Sequence, residues 1–348
     1  MAQRHFLGGL LAASIAVWAG DVSADPATTA APAIPPQARN VVLPDYVYKP
    51  GQMVDIGGRR LNLYCFGSGG PTVLMLSGGG WGAVAYAGIQ QKLAAKTKVC
   101  AYDRAAAGFS DVGPIPPEPD QSTHDLEALI RVAGLKGPFV LVGWSAGGME
   151  ARAFAYRHPD AVAGIVTIDG SVFDYQHDTE AAPWVATTIK ALQACYDAAR
   201  AGTIDKDEAL YAHCRPAIDP LDFLPQMRAA MAERTKDPAL YAQQLAGMKQ
   251  LDEQADRLRA ARIDLGDIPV RLMVAGTHFP EADDRRSAEE LQSNRDFVFA
   301  SYLIAASFKD GRMIVVPHTK HGIHFDNPGA VIDVVDAVID QVRAKSRP

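Results

Sequence analysis

The chain has 348 residues, 48% of them hydrophobic and 21% charged, with a formal net charge of −6. This is globular composition with ample apolar residues for a large core. No basic block or tail is present, which argues against a nucleic-acid partner.

In chain order, "MAQRHFLGGLLAASIAVWAGDVSA" (1–24) comes first and reads as a signal peptide. Arg4 and His5 form a positive n-region, Phe6 to Gly20 an apolar stretch, and Val22-Ser23-Ala24 a small-residue cleavage site. The apolar run is too short for a comfortable span, and no later segment suffices either, so no stable membrane span is expected after cleavage. Residues 25–42, rich in Pro, Ala and Thr, read as a flexible leader. The expected location is therefore the periplasm or the extracellular space. Four cysteines follow, Cys65, Cys100, Cys195 and Cys214. An even count in an oxidising compartment favours pairs, and the absence of a C-x-x-C or zinc-like spacing argues against a metal.

Two short strands flank Gly57-Gly58 in "MVDIGGRRLNLYCFG", a hairpin pattern. "PTVLMLS" (71–77) is a third strand and runs into "GGGWG"; "TKVCAYD" (97–103) is a fourth, after the helical "AYAGIQQKLAA". A Pro-rich loop leads to "STHDLEALIRVAG", a helix for which Ser122 is the expected cap. "FVLVGWSAGG" (139–148) holds the fifth strand, "AVAGIVTIDG" (161–170) the sixth, "IPVRLMVAG" (268–276) the seventh and "RMIVVPH" (312–318) the eighth. Helical stretches between continuously apolar strands predict an α/β fold with a mostly parallel sheet covered on both faces. Residues 172–262 contain helical patterns and no convincing strand, and are too long for a loop. They are expected to form a helical cap inserted into a core made of 43–171 and 263–348.

Functional groups of such sheets gather at the C-terminal strand ends. There, Gly143-Trp144-Ser145-Ala146-Gly147 fits G-x-S-x-G, in which small flanking residues let a sharp strand-to-helix turn expose a serine hydroxyl. The bland alternative is a Gly-rich turn whose serine caps a helix.

With that motif in its strand–turn–helix setting, the chain resembles the α/β-hydrolase superfamily over nearly all of 45–345. "YDRAAAGFSD" (102–111) is similar to the family's loop after strand four, with Ala106 in place of its first glycine. "HGIHFDNP" (321–328) is similar to the segment that carries the catalytic histidine. The resemblance implies an eight-stranded hydrolase core, Ser145 as nucleophile and His321 as base, the latter chosen among nine histidines by the spacing of Ile323, Asp326 and Pro328. His324 is left as a residue that could line the pocket.

The resemblance also implies oxyanion donors at Gly79, in "SGGGWG", and Ala146, although Ser77 stands where most relatives have histidine and leaves Gly80 as a possible substitute for Gly79. For the triad acid, most relatives use a position after strand seven, but Gly276-Thr277-His278-Phe279 has phenylalanine there. Some relatives place the acid after strand six, which points to Asp169; Asp283 and Asp284, near Glu281 in the charged turn "PEADDRR", are the alternatives. Strands two and four adjoin in this fold, implying a Cys65–Cys100 bridge, and Cys195 and Cys214 flank a helical hairpin and imply a second.

The expectation is a serine hydrolase of carboxylesterase type, acting on a small-molecule ester by an acyl-enzyme route, with no cofactor. An aminopeptidase or amidase on the same triad is the alternative, and a non-catalytic binding protein a weaker one. Relatives that open epoxides or carbon–halogen bonds carry a carboxylate where Ser145 stands, which disfavours that chemistry. Phe173, Tyr175 and Trp184 are candidates for lining an apolar acyl or alcohol site, though core packing suits each one singly.

Overall fold

A computed structural model describes residues 44–118, 120–175, 183–214, 225–280 and 284–345. The expected signal peptide and leader lie outside them. Eight strands form one sheet: β1 (Gln52–Asp55), β2 (Arg60–Phe66), β3 (Thr72–Leu76), β4 (Val99–Tyr102), β5 (Phe139–Trp144), β6 (Val162–Ile168), β7 (Pro269–Ala275) and β8 (Asp310–Val316). Their order is β1-β2-β4-β3-β5-β6-β7-β8. The β1–β2 and β2–β4 pairings are antiparallel, and all pairings from β4 through β3 to β8 are parallel.

The helices follow from the same apolar periodicity. They are α1 (Ala87–Ala94), α2 (Gln121–Val132), α3 (Ala146–Arg157), α4 (Pro183–Arg200), α5 (Glu208–Cys214), α6 (Pro225–Thr235), α7 (Pro238–Met248), α8 (Leu251–Ala260), α9 (Ala288–Ala306), α10 (Ile323–Asp326) and α11 (Pro328–Lys345). Alternate strand residues feed two cores. Leu74, Leu76 and Leu141 pack with residues of α2, α3 and α9, while Val73, Met75, Val140 and Val142 pack with α1 and α11 on the other face. A parallel strand covered on both faces must be apolar on both, hence the unbroken runs that marked these strands.

One cap assignment is corrected. Ser122 lies inside α2, whose N-cap position is Asp120. The start of α7 follows the rule instead, since Asp237 accepts a hydrogen bond from the Ala239 N–H.

Helices α4 to α8 all lie between β6 and β7. Ala106, in the loop after β4, packs into the cluster of Cys195, Cys214, Leu240 and Tyr241. In that same loop Gly113 N–H donates to Gln243 Oε1 at 2.6 Å. The sulfurs of Cys195 and Cys214 are at bonding distance, 2.07 Å, and those of Cys65 and Cys100 at 2.04 Å. Cys65 and Cys100 face each other directly in the β2–β4 register.

Candidate active site

The elbow is built by exclusion of bulk. Ser145 has φ 51° and ψ −122°, between the end of β5 and the start of α3. Few residues adopt such a conformation unless their surroundings enforce it. A Cβ on Gly147 would lie 1.9 Å from the Leu76 carbonyl oxygen, and one on Gly143 would lie 2.2 Å from that of Gly147. The first turn of α3 can therefore pass β3 only because Gly147 lacks a side chain, and can fold back on the end of β5 only because Gly143 does. The Ser145 hydroxyl does not cap α3, which removes the simple turn-and-cap explanation.

His321 stands on the loop between β8 and α10. Its Nδ1 is 2.8 Å from Asp169 Oδ2, which leaves Nε2 as the nitrogen that can exchange a proton with a neighbour. The ring is 55% exposed. The His321 carbonyl accepts from Trp144 Nε1–H at 2.9 Å, which ties the histidine loop to the residue before Ser145. Asp326 accepts from Lys320 N–H at 2.6 Å and holds the same loop from its far side. No hydrogen bond joins Ser145 Oγ to His321 among the described residues; bonds of this kind often tighten only around substrate.

Asp169 follows β6 with φ 45°, and its carboxylate is fully buried. A buried charge needs partners, and this one has several. Oδ1 accepts from Ala275 N–H at 2.9 Å, Oδ2 faces His321, and His278 Nε2 lies 2.9 and 3.1 Å from the two oxygens. Burial pushes the carboxyl pKa up, but the hydrogen bonds of His278 and His321 and their positive charge outweigh it, leaving the group below its ordinary 3.8.

Of the alternative acids, Asp284 is bound to Arg286, whose guanidinium also donates to the Thr277 and Phe279 carbonyls, so it braces the loop after β7. Asp283 and Glu281 lie outside the described residues. His278 was visible in the sequence only as a histidine after strand seven. Its position at a C-terminal strand end was the available signal.

The loop Ser77–Gly82 passes beside Ser145. A Cβ on Gly78 would lie 3.3 Å from that of Ser145 and 3.0 Å from the Trp144 ring. Arg104 donates to the Ser77 and Gly78 carbonyls, the latter at 3.0 Å, and to Glu150 Oε2 of α3 at 2.5 Å. Because N–H and C=O of a trans peptide point opposite ways, anchoring the Gly78 oxygen turns the Gly79 N–H away from Arg104. Ala146 opens α3, where N–H groups lack intrahelical acceptors. Ser77 Oγ donates to the Trp81 carbonyl at 2.6 Å and closes the loop without the usual histidine. Ala106 has φ 60°, the left-handed conformation that explains why glycine is usual there.

His324 packs inside the sheet's covering layer rather than at the surface. It is buried against Tyr86, Trp144 and Phe325, and burial, followed by the charge of His321, pushes its pKa down to about 3. Phe173 stacks on Trp184 at 5.6 Å, and Tyr175 lies under the Arg262 guanidinium. Glu118, Asp120 and His124 approach one another with metal-like spacing, but Asp120 also faces Arg157 and Arg257 at 3.3 and 3.7 Å, which opposes cation binding.

Residues 73–334 match the alpha/beta hydrolase family. The uncharacterized protein YbdG of Bacillus subtilis is 31% identical over 121 residues, 34% of this chain and 37% of its own length. The pimeloyl-[acyl-carrier protein] methyl ester esterase of Chromobacterium violaceum is 30% identical over 141 residues, 40% of this chain and 53% of its own. The matched segments thus span about half or less of these relatives. Among solved structures, a thermophilic esterase from Thermogutta terrifontis superposes with TM-score 0.56 at 19% identity, covering 84% of this chain and 99% of that one. The haloalkane dehalogenase DatA from Agrobacterium tumefaciens superposes with TM-score 0.60 at 14% identity, covering 86% and 100%. At these identities the superpositions speak for the fold alone.

Proposed function

Because the chain belongs to the alpha/beta hydrolase family, we propose that it is a serine hydrolase that cleaves a small-molecule carboxylic ester through an acyl-enzyme intermediate. Ser145 Oγ attacks the ester carbonyl carbon while its proton passes to His321 Nε2. Asp169 holds the imidazole through Nδ1 and stabilises the imidazolium. The Gly79 and Ala146 N–H groups donate to the oxyanion. Collapse of the tetrahedral intermediate breaks the bond to the alcohol oxygen, which leaves with the proton from Nε2. Water, deprotonated by His321, then releases the acid and restores Ser145.

The observation that carries this reading is the 2.8 Å contact between His321 Nδ1 and the buried Asp169, at the C-terminal sheet edge where the half-buried Ser145 sits in its elbow. The esterase among the sequence relatives points the same way. Epoxide and carbon–halogen opening by an alkyl-enzyme route needs a carboxylate nucleophile, and the elbow carries a serine. The N-terminal sequence and the two cysteine pairs support export to an oxidising compartment.

The test is turnover of short p-nitrophenyl esters with labelling of Ser145 by a fluorophosphonate. Wild type is expected to turn over and label, and folded Ser145→Ala to do neither. Undiminished turnover by Ser145→Ala overturns the assignment. Cleavage of aminoacyl anilides with no ester turned over moves the substrate to amides.

A further inference from the structure

The candidate acid carries two histidines. His321 takes one side of the Asp169 carboxylate, and His278, at the end of the turn Gly276–His278 that follows β7, takes the other. A triad needs only the first. The His278 ring is held on three sides: Nε2 against the carboxylate, Nδ1 2.9 Å from Asn294 Oδ1 of α9, and one face stacked on Phe297 at 4.3 Å. Only 18% of its side chain is exposed. The Thr277 N–H donates to the Thr319 carbonyl at 3.1 Å, so this turn is also laced to the loop that carries His321.

We propose that His278 is a positioning residue for catalysis: it holds the Asp169 carboxylate in the rotamer that serves His321, and it shares that carboxylate's charge with the imidazolium that His321 becomes. This rests on the reading of Ser145, His321 and Asp169 as the triad.

The geometry decides which interaction matters. Asp169 Oδ1 is fixed by the Ala275 N–H, but one backbone donor leaves the carboxylate able to swing about it. A second donor that reaches both oxygens removes this freedom. With acceptors at both ring nitrogens, Asp169 and Asn294, the arrangement as oriented suits an imidazolium, which donates twice. Burial opposes that charge, but the hydrogen bond and charge of Asp169 raise the His278 pKa above its ordinary 6.5. The other charged groups around the ring are His321, from the loop after β8, and the Arg286–Asp284 pair, from the segment before α9. Arg286 opposes the charge on His278. A cation on the far side of the carboxylate competes with the imidazolium that His321 becomes during the reaction. Removing it strengthens the remaining Asp169–His321 interaction once His321 is charged.

The experiment compares His278→Phe, which keeps the stack on Phe297 but has no donor, with His278→Gln, which can still donate to Asp169. Toward p-nitrophenyl acetate, His278→Phe is expected to lower kcat about tenfold with KM within about twofold. The acid limb of its kcat/KM profile is expected to move to higher pH. His278→Gln should recover most of kcat. A folded His278→Phe with wild-type kcat and an unmoved acid limb overturns the proposal. Should that variant not fold, Asn294→Leu, which removes only the Nδ1 partner, carries the same prediction for the acid limb. Independently of turnover, NMR titration of His278 in Ser145→Ala should show a pKa above 6.5 that falls when Asp169→Asn is added; an unchanged titration overturns it. Turnover surviving in Ser145→Ala would instead overturn the serine-hydrolase reading, and the NMR titration separates the two failures.

Discussion

At the Ser145 corner three glycines keep side chains away, and the serine is held in a strained backbone conformation because the chain has nowhere else to go. At the Asp169 corner the backbone also turns with positive φ, but what holds the carboxylate is a set of hydrogen bonds from three residues on two other segments of the chain. One corner is made by removing atoms and the other by adding partners. Damage at the first should therefore appear as loss of the fold, and damage at the second as loss of chemistry.

The largest expected effect is on chemistry. Asp169→Asn should lower kcat toward p-nitrophenyl acetate by about 10³- to 10⁴-fold, because an amide cannot hold the productive tautomer or balance the imidazolium. Circular dichroism should stay that of wild type; an unfolded Asp169→Asn would erase the contrast between the corners. At the steric corner, Gly147→Ala puts a Cβ 1.9 Å from the Leu76 carbonyl oxygen. It should cost more than about 3 kcal/mol, read as lost soluble expression or a collapsed denaturation midpoint.

Titration should touch the two corners with opposite sign. Asp169 is held below 3.8, so the stability it contributes is present above that pH and is lost as pH falls through the lower folded value. His278 is held above 6.5, so its contribution is whole below 6.5 and is lost as pH rises through the raised folded value. The stability gap between wild type and His278→Phe, measured by urea unfolding, should thus be widest near about pH 5 and narrow in both directions.

His324, packed on Trp144 at the elbow, behaves oppositely. It is neutral in the fold with a pKa of about 3, so the unfolded chain gains a proton first and stability falls by about 1.4 kcal/mol per pH unit between 6.5 and 3. His324→Phe should remove that slope, seen as a higher melting temperature at pH 5 with little change at pH 8. The smallest effect is expected for Asp284→Asn, which loosens a brace in the loop after β7 and should leave kcat within about twofold.

The contrast between the corners also explains what could be read beforehand. Gly143, Ser145 and Gly147 were legible because a steric demand for small residues is written at fixed spacing along one strand–turn–helix. The inner strands such as β3 and β7 were legible because burial on both faces demands unbroken apolar runs, as in "PTVLMLS" and "IPVRLMVAG", and β1 and β2 because Gly57-Gly58 marks the hairpin between them. Ser122 misled because a residue with capping chemistry tolerates a helix interior when tertiary packing sets the helix start. Asp169 and His321 could be picked out only by resemblance, being 152 positions apart.

By itself the sequence determined the order of elements, the sharp turn at Ser145 and the insertion between β6 and β7, since each depends on local periodicity or on the absence of side chains. The partners of Asp169 were decided by the tertiary structure alone. A carboxylate's neighbours depend on which strand ends the sheet order brings together, and β6, β7 and β8 adjoin only after folding. That is why His278, one histidine among nine in the sequence, becomes a second partner of the buried acid in three dimensions.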